Sequence, residues 1–190
     1  MLQEIALREW AVAVKALESG RQVIVLRKGG IAEETREFRL ESPHFYLFPS
    51  YEHQRPELVK QETRDVVGDT IREAESHPGA VMIASYAEVA DDIEVTDSET
   101  LSRLRDLHIW TEEYAEERLK WKKTKPLHVL VLRMYRLGKP VLVPMKESYG
   151  GCKSWLRFED PLPELSGIPV LADDLFEERV EAVKRAIRGE

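Results

Sequence analysis

The stretch LHVLVLRMYRL, residues 127–137, decides the fold that this sequence predicts. Apolar side chains occupy successive positions over most of its length, so a strand here would have no side free to face water. We therefore expect residues 127–137 to form a central strand that is covered on both faces. Gly138, Lys139 and Pro140 then predict a turn, which leads into a second strand, VLVP, at residues 141–144.

Further strands are predicted from short apolar runs rich in β-branched and aromatic residues. They lie at residues 21–27, 44–49, 80–95 and 152–158. Asp91 and Asp92 fall inside the longest of them and indicate a bend or bulge there.

Helices are predicted from apolar residues at helical spacing and from capping residues. They lie at residues 4–19, 57–75, 98–107, 111–123 and 176–189. Gly20 would end the first helix, although residues 10–16 also fit a strand. Because strand clusters alternate with helices of unequal length, the pattern predicts an α+β fold. We expect a single domain, residues 1–190, with a mixed, curved sheet or partial barrel and flanking helices.

The composition bounds the class of protein. The 190 residues have a net charge of -7 and are 43% hydrophobic, which suits a globular protein and excludes intrinsic disorder. A single cysteine, Cys152, excludes an internal disulfide and a multi-cysteine zinc site. No apolar run approaches the roughly 20 residues that cross a bilayer, and the first ten residues do not resemble a secretion signal. We expect a cytoplasmic protein with no membrane partner, metal or cofactor.

The charge is distributed unevenly along the chain. Residues 118–146 contain no acidic side chain, and Trp121 and Tyr135 are interleaved with their cations. The nine cations are Arg118, Lys120, Lys122, Lys123, Lys125, Arg133, Arg136, Lys139 and Lys146. Such a segment in an otherwise acidic chain is typical of a protein with a polyanion partner. The alternative is a solvated helix end and strand face that the acidic remainder balances in space.

The segment RKGG, residues 27–30, follows the predicted strand at 21–27. Arg27 and Lys28 would offer two cations, and Gly29 and Gly30 would leave backbone amides accessible, which suits a phosphate. The segment is neither a P-loop nor a dinucleotide fingerprint. A tight turn with two surface cations is the alternative.

The segment Tyr51, Glu52, His53 and Gln54 follows another predicted strand. Glu52 and His53 could act as general acid or base, and the amide of Gln54 could contact a base edge. A hydrogen-bonding loop histidine is the alternative. Tyr51 is a candidate for stacking on a base.

The segment YGGCKSW, residues 149–155, precedes a predicted strand. Lys153 could lower the pKa of the Cys152 thiol, although a buried structural cysteine is the alternative. Trp121 and Trp155 could stack on bases, although core or lid positions are the alternative. Several enzyme signatures are absent: the Glu-x-Lys strand of restriction-type nucleases, the Nudix pattern, GxSxG and HExxH.

The sequence resembles a prokaryotic family of unknown function, numbered 1802 among such families. The resemblance rests on residues 9–31, 45–54, 125–137 and 149–155 and extends over most of the chain. A weaker likeness is to the ASCH and PUA-like barrels, which are associated with RNA. Gly20 and Arg27 fit the ASCH pattern Gly-x-Lys-x-x-Glu-x-Arg, whereas Gln22 and Val25 replace its Lys and Glu. The likeness therefore implies a curved binding sheet and does not extend to the activity tied to that motif.

These observations lead to three functional hypotheses. The first is binding of a nucleic acid, such as RNA or a modified base, or of a nucleotide. Its phosphates would contact Lys122, Lys123, Arg133 and Arg136, with the two arginines near Lys28. The second is a small enzyme, of hydrolase or nuclease type, acting on a phosphorylated or nucleotide substrate. The third is an accessory protein that binds a partner through an apolar patch.

The enzyme hypothesis depends on where the strand ends meet. Glu52, His53 and Lys153 would then be the catalytic residues and Arg27 and Lys28 the phosphate ligands. It requires these side chains to converge on one pocket.

Overall fold

The computed structural model describes residues 4–28, 38–164 and 166–190. Its strands are β1 (Ile5–Trp10), β2 (Ile24–Arg27), β3 (His44–Ser50), β4 (Ala80–Val95), β5 (Leu127–Pro144), β6 (Trp155–Arg157) and β7 (Gly167–Pro169). Its α-helices are α1 (Ala11–Glu18), α2 (Arg64–Ser76), α3 (Ser98–Arg103), α4 (Glu112–Lys120) and α5 (Asp173–Arg188). Gly29 and Gly30 lie outside the described residues.

The described strands form one mixed sheet in the order β2-β5-β4-β3-β1-β6, and β7 also pairs with β5. β1 and β3 are parallel, whereas the other pairs are antiparallel. β5 lies between β2 and β4, and residues 127–132 are buried. The predicted α+β class and the inner, covered position of this strand are thus confirmed.

The sheet is strongly curved, as predicted. The long strands β4 and β5 pair with two shifts of register, one of them between Val89 and Asp91, where a bulge was expected. The curvature brings the two ends of the sheet together: Nη1 of Arg27, at the end of β2, donates to the carbonyl of Arg8 in β1 over 3.2 Å. Its Nη2 donates to Ser154 Oγ, just before β6, over 2.7 Å. The sheet is therefore a half-barrel closed on this side by side chains.

The predicted helix at residues 4–19 is wrong in its first half. The alternative strand at residues 10–16 is also wrong, because residues 11–16 are helical. Residues 5–10 form β1, which pairs with β3 on one side and β6 on the other. Strand pairing on both sides outweighs the approximate helical spacing of the apolar residues. The helix begins at Ala11, because the Gln54 Oε1 atom accepts the Val12 amide over 2.8 Å and so satisfies a free donor of the first turn. The chain leaves the helix at Gly20, with φ of 72°.

The predicted turn at residues 138–140 is also wrong, since β5 continues to Pro144. Arg136 pairs with Ser85 and Val141 pairs with Ile83, so four residues of β5 lie opposite Ala84. The neighbouring strand β4 is long enough to pair with both halves, and the extra residues form a bulge. Pro140 fits there because a bulge leaves residues without a ladder hydrogen bond.

Capping residues locate the other helices. Asp97 accepts the Thr100 amide at the start of α3, and Thr111 accepts the Tyr114 amide at the start of α4. The helix predicted from residue 57 begins only at Arg64, after two short 3₁₀ turns. Within the described residues, no helix is long and apolar enough to cross a membrane.

The expected meeting of Arg133 and Arg136 with Lys28 does not occur. β2 and β5 are antiparallel, and Arg27 pairs with His128 near the start of β5. Arg133 therefore lies five residues further along, or about 16 Å at 3.3 Å per residue, and Arg136 lies further still.

Candidate functional site

A cleft of about 350 Å³ opens at one end of the sheet. Its walls come from the last residues of β1, the loop that follows β3, the end of β2, helix α4 and residues 151–154. Because β1 and β3 are parallel, with Trp10 paired to Ser50, both strands deliver their carboxyl ends to this edge. β6 runs antiparallel to β1, so the loop before β6 arrives at the same edge. The topology thus gathers loops at one end, where binding residues commonly lie.

The floor of the cleft is a buried ion pair. Arg27 Nη1 lies 3.1 Å from Glu9 Oε2, and the two side chains are only 10% and 6% exposed. The same guanidinium donates to Ser154 and stacks over the Phe38 ring at 5.7 Å. These contacts fix Arg27 and leave a charged group at the base of an open space.

Arg8 connects the floor to one wall. Its Nη1 and Nη2 atoms donate to the carbonyls of Gly151 and Tyr149, which orders the loop before β6. Burial lowers the pKa of Arg8 and the nearby Arg27 acts in the same direction, while Glu52 and Cys152 oppose the shift. Arginine nevertheless stays protonated, so a partly desolvated positive charge persists here.

Aromatic rings and a third arginine form the opposite wall. The rings of Trp10 and Tyr114 lie 5.3 Å apart, and the Arg118 guanidinium lies 5.8 Å from the Tyr114 ring and 5.9 Å from the Trp121 ring. Trp121 is 37% exposed, and the Lys122 ammonium lies over its ring at 4.9 Å. This wall therefore presents a partly open indole with two cations close to its ring.

The rim carries groups able to move protons. Glu52, His53, Cys152 and Lys153 line the cleft and are exposed. His53 has a φ of 64°, in the left-handed region that a non-glycine residue adopts at a cost. His53 therefore lines the mouth of the cleft from a backbone conformation that costs free energy.

Seven residues singled out from the sequence are thus brought together. They are Arg27, Glu52, His53, Arg118, Trp121, Cys152 and Lys153. They come from four separate segments, and the curved sheet is what places them around one space.

Lys28 and Gln54 have structural partners instead. Lys28 is 1% exposed, and its Nζ donates to the carbonyls of Leu119, at 2.7 Å, and Lys125. The ammonium therefore satisfies carbonyls at the end of α4, and burial lowers its pKa. The Gln54 amide lies between the α1 amino terminus and α2, donating to Thr70 Oγ1 over 3.1 Å.

The two other candidate aromatic residues also lie outside the cleft lining. Trp155 is 9% exposed, donates to the Arg39 carbonyl over 2.7 Å and packs edge-on to Phe45 at 5.0 Å. Tyr51 is half-buried, and burial together with Glu73 and Glu18 raises its pKa to about 12. Both side chains take part in packing.

The remaining cations are distributed along the chain. Lys122 and Lys123 follow α4 next to Trp121, and Lys123 is exposed. Arg133 donates to Asp173 and packs over Phe176 at 5.1 Å. Arg136 donates to the Glu18 carbonyl at 2.7 and 3.2 Å.

Sequence reasoning missed several residues of the cleft: Arg8, Glu9, Trp10, Tyr114 and Ser154. The first three end β1, which the sequence assigned to a helix. If this segment had been predicted as a strand, these three polar or aromatic residues would have stood at a strand end. That position would have marked them as candidate binding residues. Among the described residues, no cluster of three or more His, Cys, Asp or Glu side chains is placed to hold a metal ion.

Comparison with known proteins identifies the family. Residues 6–182 match the family described as a domain of unknown function, DUF1802. Because the match covers most of the chain, this protein belongs to that family. No curated protein matches it.

Solved structures of an ASCH protein from Zymomonas mobilis also match. The unmutated protein is 13% identical, with a TM-score of 0.47 and coverage of 94% of both chains. A mutant form of the same protein is 13% identical, with a TM-score of 0.47 and coverage of 94% of this chain and 97% of that one. Similarity at this level leaves the ligand and the chemistry open.

Proposed function

We propose that the cleft binds a nucleotide, either free or as one unit of an RNA strand. The observation that carries this proposal is the presence of cations and a partly open indole on one cleft of about 350 Å³. Arginine recognises phosphate through paired donors, and an aromatic ring stacks on any base. The volume lies near the lower end of the range for small-molecule sites, about 300–1,000 Å³.

The cleft also relates the basic segment to this function. Arg118 and Trp121 line it, and Lys122 and Lys123 follow directly. These cations would guide the phosphates of a longer strand toward the cleft. Arg133 and Arg136 do not take part in this proposed binding, because they donate to Asp173 and to the Glu18 carbonyl.

A salt titration tests the proposal. Quenching of tryptophan fluorescence by short single-stranded RNA should weaken steeply between about 50 and 200 mM salt. The double substitution Lys122→Ala with Lys123→Ala should weaken binding and flatten the slope, whereas Arg133→Met with Arg136→Met should change neither. Binding that does not depend on salt, or its absence at the lowest salt, would contradict the proposal.

A second candidate function is catalysis on a phosphorylated or nucleotide substrate. It is favoured by Glu52, His53 and Lys153 at the mouth of the same cleft and by the left-handed backbone of His53. His53 or Glu52 would transfer a proton, while Arg27 and Lys153 would stabilise charge developing on phosphate.

Catalysis can be separated from binding by one substitution. His53→Gln should leave nucleotide affinity within about twofold and lower turnover by roughly 10² or more. Screening should use the nucleotides that bind, followed by chromatography of the products. Unchanged turnover in His53→Gln and Glu52→Gln would exclude these residues as the acid and base.

A further inference from the structure

We propose that the cleft recognises a terminal phosphate, that is, a phosphomonoester on a nucleoside, in preference to an internal phosphodiester. The inference rests on the proposed function and specifies its ligand. A free nucleotide and a phosphorylated end of an RNA strand share this chemistry.

The first argument is the charge of the cleft. Among the described residues that line it, Arg8, Arg27, Arg118 and Lys153 are cations, whereas Glu9 and Glu52 are carboxylates. This leaves two positive charges in excess. A phosphomonoester carries about -1.5 to -2 at pH 7, whereas each phosphodiester carries a single negative charge. The monoester therefore balances the excess charge better.

The second argument is the state of the two cleft arginines, Arg8 and Arg27. Arg27 is buried and Arg8 is partly buried, so both charges are largely removed from water. Burial and mutual repulsion destabilise the charge of Arg8. A dianion in the cleft would offset both costs, because charge-assisted hydrogen bonds to phosphate are the strong ones.

The third argument is the closed floor. The Arg27–Glu9 ion pair and Ser154 block the inner end, and these groups are buried. An internal phosphodiester requires the strand to enter and leave, whereas a terminal phosphate needs one entrance.

The test compares defined ligands by calorimetry at constant ionic strength. The probes are uridine, uridine 5′- and 3′-monophosphate, ribose 5-phosphate, and the dinucleotide UpU with and without a terminal phosphate. Of the two uridine monophosphates, we expect the one with the higher affinity to bind at least about tenfold more tightly than unphosphorylated UpU at pH 7.5. We expect the same of UpU with a terminal phosphate. Tighter binding of the monophosphate than of phosphorylated UpU would indicate a free nucleotide, and the reverse order would indicate a strand end.

A pH series tests the dianion directly. The second pKa of a phosphomonoester is about 6, so its advantage over UpU should shrink between pH 7.5 and pH 5. His53, Glu52, Lys153 and Cys152 also face the cleft. Their effects act on both ligands, so the ratio of the two affinities is the quantity to follow.

A matched pair of lysine substitutions tests whether the preference for a monoester arises in the cleft. Lys153→Met removes an exposed cation of the cleft and should reduce the monoester advantage several-fold. Lys139→Met removes an exposed cation in the β5 bulge and should leave it unchanged. The melting temperature of both variants should stay near that of the unmodified protein.

The outcomes separate the inference from the proposed function. Equal affinity for monoester and diester at pH 7.5 would overturn the inference and leave nucleotide binding intact. Failure of every nucleotide to bind would overturn both. Equal affinity for ribose 5-phosphate and the nucleotides would support the phosphate site and overturn the role of the indole.

Discussion

Two pairs of arginines in this protein have contrasting surroundings: Arg8 and Arg27 in the cleft, and Arg133 and Arg136 on the far half of β5, here termed the β5 arginine pair. Beside the cleft pair lies a space of about 350 Å³. Beside Arg133 the void is about 10 Å³, roughly the volume that holds one water molecule. The β5 arginine pair donates to Asp173 and to the Glu18 carbonyl.

The comparison shows what distinguishes a binding cation from a structural one. Both pairs make hydrogen bonds within the protein, so the presence of a partner does not separate them. The cleft pair has further positive charge, open space and an indole nearby, whereas the β5 arginine pair joins the sheet to α5 and to the end of α1. The surroundings therefore decide which cations can receive a ligand.

The largest expected difference between the pairs is in stability. Arg27→Met would leave the Glu9 carboxylate buried and unpaired, which costs about 3–5 kcal/mol of unfolding free energy. Arg136→Met removes an exposed hydrogen bond, which is worth about 1 kcal/mol. Urea denaturation measures both. The double substitution Glu9→Gln with Arg27→Met should recover much of the loss, and a loss for Arg27→Met no greater than that for Arg136→Met would remove the distinction.

The next largest effect concerns the indole. Trp121→Ala should weaken nucleotide binding by about 1–3 kcal/mol, since stacking of one base on an aromatic ring has this value. Trp121→Phe should retain part of the affinity because it keeps a ring. Calorimetry with a nucleoside monophosphate measures the affinity of both variants, and the double substitution Arg133→Met with Arg136→Met is the control. If affinity is unchanged in Trp121→Ala, the base does not stack there.

A smaller effect is expected in the salt dependence of RNA binding. Arg118→Met removes one cleft cation, so the slope of log affinity against log salt should fall by about one phosphate contact. Arg136→Met should leave the slope unaltered. An equal fall for both variants would mean that RNA binds across the sheet rather than at the cleft.

The smallest effect is a pH dependence near the β5 arginine pair. Burial raises the pKa of Glu18, although the Ser85 hydroxyl, which donates to it over 2.7 Å, opposes the shift. A carboxyl whose pKa is raised by folding contributes stability below its unfolded pKa of about 4.5 and loses it as the pH rises through the folded value. Glu18→Gln keeps an acceptor for Ser85 and should therefore gain stability relative to the unmodified protein as the pH rises from 4 to 7. The exposed Glu75→Gln is the control, and an identical pH profile for both variants would contradict the assignment.

The sequence predicted the inner strand and the bulge at Asp91 because both follow from local residue patterns. It did not predict β1, because its pairing with β3 and β6 depends on residues 40 and 150 positions away. The convergence of the cleft residues has the same origin. Glu52, His53 and Lys153 at the rim are visible in the sequence, whereas Arg8, Glu9 and Ser154 reach the cleft only through the curved sheet. Lys28 was misplaced because a sequence does not show that an ammonium can cap the end of α4.

The four tryptophans allow the most direct test of the central claim that the cleft is the ligand site. Trp10 and Trp121 line the cleft, whereas Trp110 and Trp155 are buried outside its lining. Titration of ¹⁵N-labelled protein with a nucleoside monophosphate resolves the indole N–H signal of each. We expect the Trp10 and Trp121 signals to shift with one shared dissociation constant and the other two to move far less. Saturable binding that leaves the Trp10 and Trp121 signals in place would contradict the account.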